Sequence, residues 1–164
     1  MHCAAALVGY GSIFPPGAEK PTPALLASGW RDLLATEHAR VLVATDRELV
    51  VGCVAIVSND DVPSGCLLAR LYVEPAAWGR GIGAALHDAA LTVAANQERS
   101  LLNLWVLEGN ARARAMYERR GWRLVAGAQM VNGDVAPSVY DVLYERTLRF
   151  TSSGASPTTR SEGR

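Results

Sequence analysis

The stretch WGRGIGAAL, Trp78 to Leu86, decides how the rest of the sequence is interpreted. It places Gly79, Gly81 and Gly83 on alternate positions and then continues directly into alanine and leucine. Glycine loses more conformational freedom on ordering than any other residue, whereas alanine is the best helix former. The stretch therefore predicts an open backbone turn that leads straight into a helix.

The surroundings of this stretch indicate an anion-binding site. CLLARLYV, residues 66–73, predicts a strand, and apolar residues recur at helical spacing from Gly81 to Gln97. A strand, a glycine-rich loop and a helix start bring several backbone N–H groups together without obstructing side chains. Because these donors belong to the main chain and the helix dipole assists them, phosphate binding here needs no basic cluster.

Two other interpretations of the glycines stay open on the sequence. They can serve only as a tight connection between strand and helix. Gly79, Gly81 and Ala84 also fit the dinucleotide-binding pattern G-x-G-x-x-G/A, with Glu108 after the next strand as a ribose-binding acid. That pattern follows its strand closely, whereas the residues EPAAW separate Val73 from Gly79 here. The spacing therefore disfavours a nicotinamide-binding domain.

Composition and charge fit a single globular domain. The chain has 164 residues, of which 49% are hydrophobic and 20% charged. Sixteen basic residues balance sixteen acidic ones and the sequence pI is near 6.8, so the sequence predicts no nucleic-acid partner. We expect residues 1–150 to form one domain and TSSGASPTTRSEGR, residues 151–164, to be a disordered tail.

The cysteines and the apolar stretches bear on location. Cys3, Cys53 and Cys66 are odd in number and form no CxxC pair, so neither a zinc site nor a disulfide framework is indicated. No apolar stretch is long enough to cross a bilayer, and no basic segment precedes the apolar start. The sequence predicts a cytoplasmic protein without a membrane segment.

The periodicity of the chain predicts a mixed sheet flanked by helices. Thr22 before Pro23 predicts the start of a helix, whose apolar stripe is Leu26, Trp30, Leu33 and Leu34. Strands are predicted for residues 40–45, 48–57, 66–73, 101–107, 122–131 and 138–148, with turns at Asp46-Arg47 and Asn132-Gly133. Residues 66–107 read as strand, helix, strand, which predicts a parallel pair with a right-handed crossover.

A second motif follows the last of those strands. In NARARAMYERRGW, residues 110–122, Ala113, Met116 and Tyr117 recur at helical spacing and Gly121 supplies a left-handed stop. The motif resembles N-x-x-A-x-x-x-Y-E-[KR]-x-G-[FW] of the GNAT acetyltransferase superfamily. The matching residues are Asn110, Ala113, Tyr117, Glu118, Arg119, Gly121 and Trp122.

The glycine stretch is similar to the same family, whose pattern [QR]-x-x-G-x-[GA] follows a strand ending in V-x-P. Val73, Pro75, Gly81 and Gly83 match it, whereas Trp78 stands where glutamine or arginine is usual. The resemblance extends from about Arg40 to Leu148. It implies an α/β fold whose mixed, mostly antiparallel sheet contains a central, splayed parallel strand pair. The family opens with a strand before its first helix, and we expect that strand to be missing or differently built here.

The resemblance implies a set of residues that bind acetyl-CoA. The main chain of Leu71, Tyr72 and Val73 would pair with the pantetheine arm, and an N–H near Val73 would face the thioester oxygen. The N–H groups around the pyrophosphate would come from Arg80, Gly81, Ile82, Gly83 and Ala84. Asn110 can cap its helix, contact pantetheine, or do both.

The resemblance also implies catalytic candidates. Tyr117 would protonate the departing thiolate, although an amphipathic core tyrosine fits the same position. Glu74 and Glu108 are the candidates to receive the proton of the amine, with Glu108 preferred because it lies beside Asn110. Both carboxylates also fit as solvated strand ends.

These motifs predict an N-acetyltransferase that moves an acetyl group from acetyl-CoA to a primary amine in a ternary complex. A non-catalytic acyl-CoA-binding module is the alternative. His2, His38 and His87 share no ligand spacing, so we expect no metal, and His87 is predicted to lie on the surface. Trp78, Trp105 and Tyr72 are candidates for an aromatic acceptor pocket, with core packing favoured for Trp105. The acceptor stays open, as does a homodimer, which is common in the family.

Overall fold

The computed structural model describes residues 1–17, 20–59, 64–131 and 139–148. The helices are α1 (His2–Tyr10), α2 (Pro23–Ala35), α3 (Ile82–Asn96) and α4 (Ala111–Arg119), with a 3₁₀ turn at Pro75–Ala77. The strands are β1 (Arg40–Asp46), β2 (Leu49–Asn59), β3 (Gly65–Val73), β4 (Leu101–Leu107), β5 (Arg123–Val131) and β6 (Tyr140–Thr147). The turn predicted at Asn132-Gly133 and the tail predicted for residues 151–164 lie outside the described residues.

The described strands form one mixed sheet in the order β1-β2-β3-β4-β6-β5. All neighbouring pairs are antiparallel except β3 and β4, which are parallel and joined through α3. The predicted fold class is therefore confirmed. No strand precedes α1 in the described part of the chain, and β1 forms an edge of the sheet.

The central parallel pair is open along most of its length. β3 and β4 pair only at Gly65–Leu101, Cys66–Leu102 and Leu67–Asn103. Beyond these residues the two strands have no pairing with each other, although β3 remains paired with β2 and β4 with β6. The carboxyl halves of β3 and β4 therefore bound a gap in the middle of the sheet.

A β-bulge in β3 changes which side chains face each side of the sheet. Ala55 pairs with Arg70 and Ile56 pairs with Leu68, so Ala69 is the extra residue. Leu68 belongs to the core beneath α3, and after the bulge Leu71 and Val73 pack against that core. Because strand side chains alternate, Arg70 and Tyr72 project to the opposite face, towards α1 and α2.

The main core lies between the sheet and the two helices α3 and α4. Its buried side chains are Val54, Ile56, Cys66, Leu68, Leu86, Ala90, Ala94, Leu102, Leu104, Val106, Tyr117, Trp122, Val142 and Tyr144. Cys53 and Cys66 are buried and free, and Cys3 is partly buried and free. This core holds α3 and α4 beside the gap, which fixes the two motif-bearing helix starts relative to each other.

The prediction that His87 lies on the surface is wrong. The side chain is fully buried, and its Nε2 accepts a hydrogen bond from Trp122 Nε1 at 2.8 Å. Its Nδ1 lies 2.9 Å from Asp88 Oδ1 at the helix surface. A histidine can occupy this interior position because both ring nitrogens have hydrogen-bond partners.

Helix α2 differs from the predicted amphipathic pattern in its burial. Thr22 caps it as predicted, because the side-chain oxygen accepts a hydrogen bond from Leu25 N at 3.3 Å. None of its described side chains is buried, and Leu34 of the predicted stripe is 64% exposed. Leu26, Trp30 and Leu33 of the stripe are partly buried, and Leu26 lines a cavity together with Leu25.

The predicted hairpin between β1 and β2 is present, with its turn one residue later. Asp46 pairs with Leu49, so Arg47 and Glu48 form the turn. Arg47 takes the left-handed conformation, with φ of 56°.

Candidate active site

The gap between β3 and β4 opens into a cavity of about 900 Å³. The cavity is lined from both faces of the sheet. The carboxyl halves of the two strands, residues 78–84 and the first turns of α4 contribute one part of the wall, and α1 and α2 contribute the other. A molecule that enters beside α3 and passes through the gap would therefore reach a second space between the sheet, α1 and α2.

The glycine loop at the mouth of the gap has a backbone that favours glycine. Gly79 and Gly81 have φ of 78° and 79°, in the left-handed region that other residues rarely adopt. A Cβ at either residue would meet nothing within 4 Å, so conformation rather than crowding requires glycine there. Gly81 is the residue before α3, and its carbonyl accepts from Ala85 N at 3.0 Å.

Residue 83 lies in the first turn of α3, and neither its backbone conformation nor crowding requires glycine there. It has no positive φ, and an added Cβ would make only ordinary contact with Val73 Cγ2, at 3.6 Å. Alanine would be the better helix former at this position. A glycine that the fold does not require keeps a side chain away from the free N–H groups of the helix start, where an anion can approach.

The exposed edge of β3 presents main-chain groups to the gap. Glu74 N donates to Val51 O at 2.8 Å, on the β2 side. Successive residues of a strand direct their amides to opposite sides, so the amides of Leu71 and Val73 face the gap. Trp78 Nε1 donates to Val73 O at 2.8 Å and so satisfies that carbonyl. The edge can pair with an extended chain that carries amides.

Trp78 occupies a defined place in the part of the cavity beside the glycine loop. Its ring lies under the Arg112 guanidinium, with Cζ 4.1 Å from the ring centroid, and one edge faces Gly9 of α1. The indole therefore joins the glycine loop, β3 and α4 where the family has glutamine or arginine. Trp105 also lines the cavity and is partly buried, so it contributes to the wall as well as to packing.

Tyr117 lines the cavity from α4 and is itself buried, at 7% exposure. Its ring packs edge-on against Trp122, with centroids 5.9 Å apart. Burial raises the pKa of its phenol well above the ordinary value, and the neighbouring Tyr72 acts in the same direction. The phenol therefore keeps its proton at neutral pH.

Asn110 caps α4 and also lines the cavity. Its Oδ1 accepts from Ala113 N at 3.1 Å, which is an N-cap of α4. The residue also lines the cavity, at the end of β4. The cap leaves the side-chain amide NH₂ as the group that could donate to a ligand.

The two candidate carboxylates lie outside the cavity lining. Glu74 is 3.5 Å from the Met1 amino group, and its side chain is 33% exposed. Glu108 is exposed; its Oε1 accepts from Gln129 Nε2 at 3.3 Å, and its main-chain carbonyl accepts from Arg114 Nη1 at 2.9 Å. Neither carboxylate is therefore placed to contact a molecule in the cavity directly.

The Arg80 side chain does not line the cavity, because it is paired with Asp46. Both of its terminal nitrogens lie 3.0 Å from Oδ2 of Asp46, the last residue of β1. The remaining residues predicted to bind the cofactor line the cavity: Leu71, Tyr72, Val73, Gly81, Ile82, Gly83, Ala84 and Asn110. The structure thus brings together residues from two motifs that lie one strand apart in the sequence.

Apart from Tyr72, which was a predicted candidate for the acceptor pocket, sequence motifs missed the residues on the far side of the gap. His2, Gly29, Asp32, Arg70 and Tyr72 line this part of the cavity, which we call the α1/α2 chamber. The His2 ring stacks on Tyr72 with centroids 3.6 Å apart, and its Nδ1 accepts from Trp30 Nε1 at 3.0 Å. No local pattern joins these residues, because three separate segments supply them.

Among the described residues, no group of three or more His, Cys, Asp or Glu side chains is placed to hold a metal ion. No helix in that part of the chain is long and apolar enough to cross a membrane.

Comparison with known proteins agrees with this architecture. A GCN5-related N-acetyltransferase from Kribbella flavida superposes with a TM-score of 0.64 at 22% identity, over 89% of this chain and 92% of that one. PaiA N-acetyltransferase from Thermoplasma acidophilum, solved in complex with coenzyme A, gives 0.64 at 16% identity, over 89% and 87%. At these identities the likeness shows the fold.

Sequence comparison identifies the family. Mycothiol acetyltransferase of Beutenbergia cavernae is 48% identical over 56 residues, which are 34% of this chain and 19% of that protein. Residues 7–122 match the acetyltransferase (GNAT) family. Because that match extends over well more than half of the sequence, the chain belongs to the acetyltransferase (GNAT) family.

Proposed function

We propose that the protein is an N-acetyltransferase that moves an acetyl group from acetyl-CoA to a primary amine in a ternary complex. The observation that carries this proposal is the open half of the β3–β4 pair, with the glycine turn at its mouth and Tyr117 in its wall. Such a gap accepts an extended arm with amides on one edge and an anion at the helix start.

The residues present fit acetyl-CoA as a cosubstrate. The N–H groups of residues 80–84 would hold the pyrophosphate, assisted by the dipole of α3. Leu71, Tyr72 and Val73 would pair through their main chain with the pantetheine arm, and the Asn110 amide would donate to it. The glycine at position 83 supports this fit, because neither its backbone conformation nor crowding by its neighbours requires glycine there.

The transfer would proceed by direct attack of the amine on the thioester carbonyl carbon. The new C–N bond forms as the C–S bond breaks, and the electron pair of that bond leaves on sulfur. The Val73 N–H would face the oxygen that becomes negative; the loss of one such oxyanion donor costs about 2.7 to 4 kcal/mol where it has been tested in a protease. Tyr117 would deliver its proton to the leaving thiolate, so that free coenzyme A departs as a thiol.

The amine must lose a proton before or during the attack. An alkylamine with a pKa of about 10.4 requires roughly 4.6 kcal/mol to be neutral at pH 7. Glu108 and Glu74 would receive this proton through water, since neither lines the cavity. Glu108 is the stronger candidate because it follows β4 directly and lies two residues from Asn110.

Replacement of Tyr117 by phenylalanine tests the proposal. The change removes only the phenolic oxygen, so we expect thiol release from acetyl-CoA with an amine panel to fall by about a hundredfold or more in kcat. Acetyl-CoA affinity should stay within a few-fold, because the ring and its packing remain. Tyr140→Phe is the matched control, since Tyr140 is 40% exposed and does not line the cavity.

Two outcomes would favour other functions. If acetyl-CoA binds but no amine releases thiol, and Tyr117→Phe changes nothing, the protein is an acyl-CoA-binding module. If NADH rather than coenzyme A raises the melting temperature, the glycine turn serves a nicotinamide nucleotide instead.

A further inference from the structure

The α1/α2 chamber contains a cation that the proposed acetyl transfer does not use. Arg70 lines the chamber and is partly buried. Its Cζ lies 5.0 Å from the centroid of the Trp30 ring, and its Nη2 donates to the Gly29 carbonyl at 3.2 Å. No carboxylate among the described residues forms an ion pair with it. A guanidinium has five N–H donors, so most of its binding capacity stays available.

The fold fixes the place of this guanidinium. The bulge at Ala69 turns Arg70 onto the α1/α2 face, and the ring of Trp30 and the carbonyl of Gly29 then restrict its movement. A prearranged, partly desolvated guanidinium suits a carboxylate, which it can bind through two parallel hydrogen bonds. Asp32 lines the same chamber, but its side chain is exposed and it is not paired with Arg70.

A second donor in the chamber comes from His2. Its Nδ1 accepts from Trp30 Nε1, so the proton of the neutral ring resides on Nε2. Burial, followed by the charges of Arg70 and the chain's amino group, lowers the pKa of His2 to about 4. At neutral pH the ring is therefore an uncharged N–H donor and cannot serve as a base at Nε2.

We infer that the acceptor amine carries a carboxylate, which Arg70 binds with the His2 Nε2–H as a second donor. This inference rests on the proposed acetyl transfer, because the amine must reach the thioester near Val73. Arg70 precedes Val73 by three positions, which correspond to about 10 Å along a strand. The carboxylate and the reacting amine are therefore several bonds apart, as in an ω-amino acid rather than in an α-amino acid acetylated at its α-nitrogen.

The test compares 6-aminohexanoate with 6-aminohexanamide and hexylamine, which share the same primary amine and chain. For the wild-type protein we expect kcat/KM for the carboxylate to exceed the other two by about tenfold to a hundredfold, the range of one charge-assisted hydrogen-bonded pair. In Arg70→Gln the three substrates should become equivalent, with acetyl-CoA affinity retained. Arg31→Gln is the matched control, because Arg31 is exposed on α2, lies outside the cavity lining, and should leave the preference intact.

Calorimetry gives a readout that does not depend on turnover. The protein saturated with coenzyme A is titrated with each of the three compounds, and the carboxylate should bind about tenfold more tightly than its amide, in an Arg70-dependent way. Should no amine be acetylated while this difference persists, the proposed function fails and the Arg70 site stands.

Two results would overturn the inference. One is equal binding and turnover of carboxylate and amide by the wild-type protein. The other is an equal loss of all three compounds in Arg70→Gln, which would show that Arg70 only supports α2. The first result needs only the wild-type protein. The inference can therefore still be overturned if Arg70→Gln does not fold.

Discussion

The hydrogen-bond partners of the buried His87 determine which of its ring nitrogens carries the proton. His87 accepts from the Trp122 indole at Nε2, so its own proton lies on Nδ1 and is directed at the Asp88 carboxylate. Burial is the largest influence on the pKa of His87 and lowers it; the cations of Arg120 and Arg146 act in the same direction, against the opposing effect of Asp88. A second proton, on Nε2, would point at the Trp122 indole N–H and replace that hydrogen bond with two opposed donors.

This arrangement predicts that stability falls as the pH is lowered from 7 to 5. An unfolded histidine takes up a proton near its ordinary pKa of about 6.5, whereas folded His87 and His2 resist it. A lowered folded-state pKa stabilises the protein fully above the unfolded pKa, and that stability is lost below it, by up to about 2 kcal/mol for each histidine at pH 5. Urea unfolding at pH 5 and 7 measures the difference.

The contribution of His87 is isolated by His87→Gln, which keeps an acceptor for Trp122 but does not titrate. We expect a shallower pH dependence in this variant and an unchanged one in His38→Gln, because His38 is exposed. An equal pH dependence in His87→Gln and the wild-type protein would contradict this account of the core.

At the scale of elements, a substitution in the first turn of α3 can weaken ligand binding without lowering the stability of the fold. Gly83→Ala should stabilise the helix or leave it unchanged, within about 1 kcal/mol, because the added methyl meets only Val73 at an ordinary distance. The same methyl would add bulk beside the N–H groups that we assign to the pyrophosphate. We therefore expect acetyl-CoA affinity to fall by about tenfold or more, measured by calorimetry beside a thermal melt.

The neighbouring glycine provides the contrast. Gly81→Ala should lower stability by about 1 kcal/mol, because φ of 79° is strained for any residue with a Cβ. If Gly83→Ala instead bound acetyl-CoA as well as the wild-type protein does, the glycine would have no role in ligand approach.

At the scale of the whole molecule, the sequence predicted what periodicity and local motifs determine. The mixed sheet, its parallel pair and the helices after Gly81 and Asn110 follow from patterns within short segments, and the structure agrees. The likeness to GNAT enzymes likewise came from two local motifs, which the family match confirms.

The parts that sequence reasoning missed arise from contacts between distant segments. The bulge at Ala69 depends on how β2 and β3 align, and it alone decides that Arg70 faces the α1/α2 chamber. His87 lies three positions before Ala90 and seven before Ala94, on the buried face of α3. A polar ring can be buried there because Trp122, 35 positions later, provides its partner, and no local pattern reveals that contact. The helix α2 was predicted correctly, but how deeply its stripe is buried was not, because partly buried and fully buried faces have the same apolar pattern.

We propose that the main chain of the glycine turn holds the diphosphate while the gap between β3 and β4 receives the pantetheine arm. A crystal structure of the protein with coenzyme A tests it most directly. We predict phosphate oxygens within about 3.2 Å of N–H groups between Arg80 and Ala84, and the arm alongside Leu71 to Val73. A diphosphate bound elsewhere, or an arm lying outside the gap, would contradict the account.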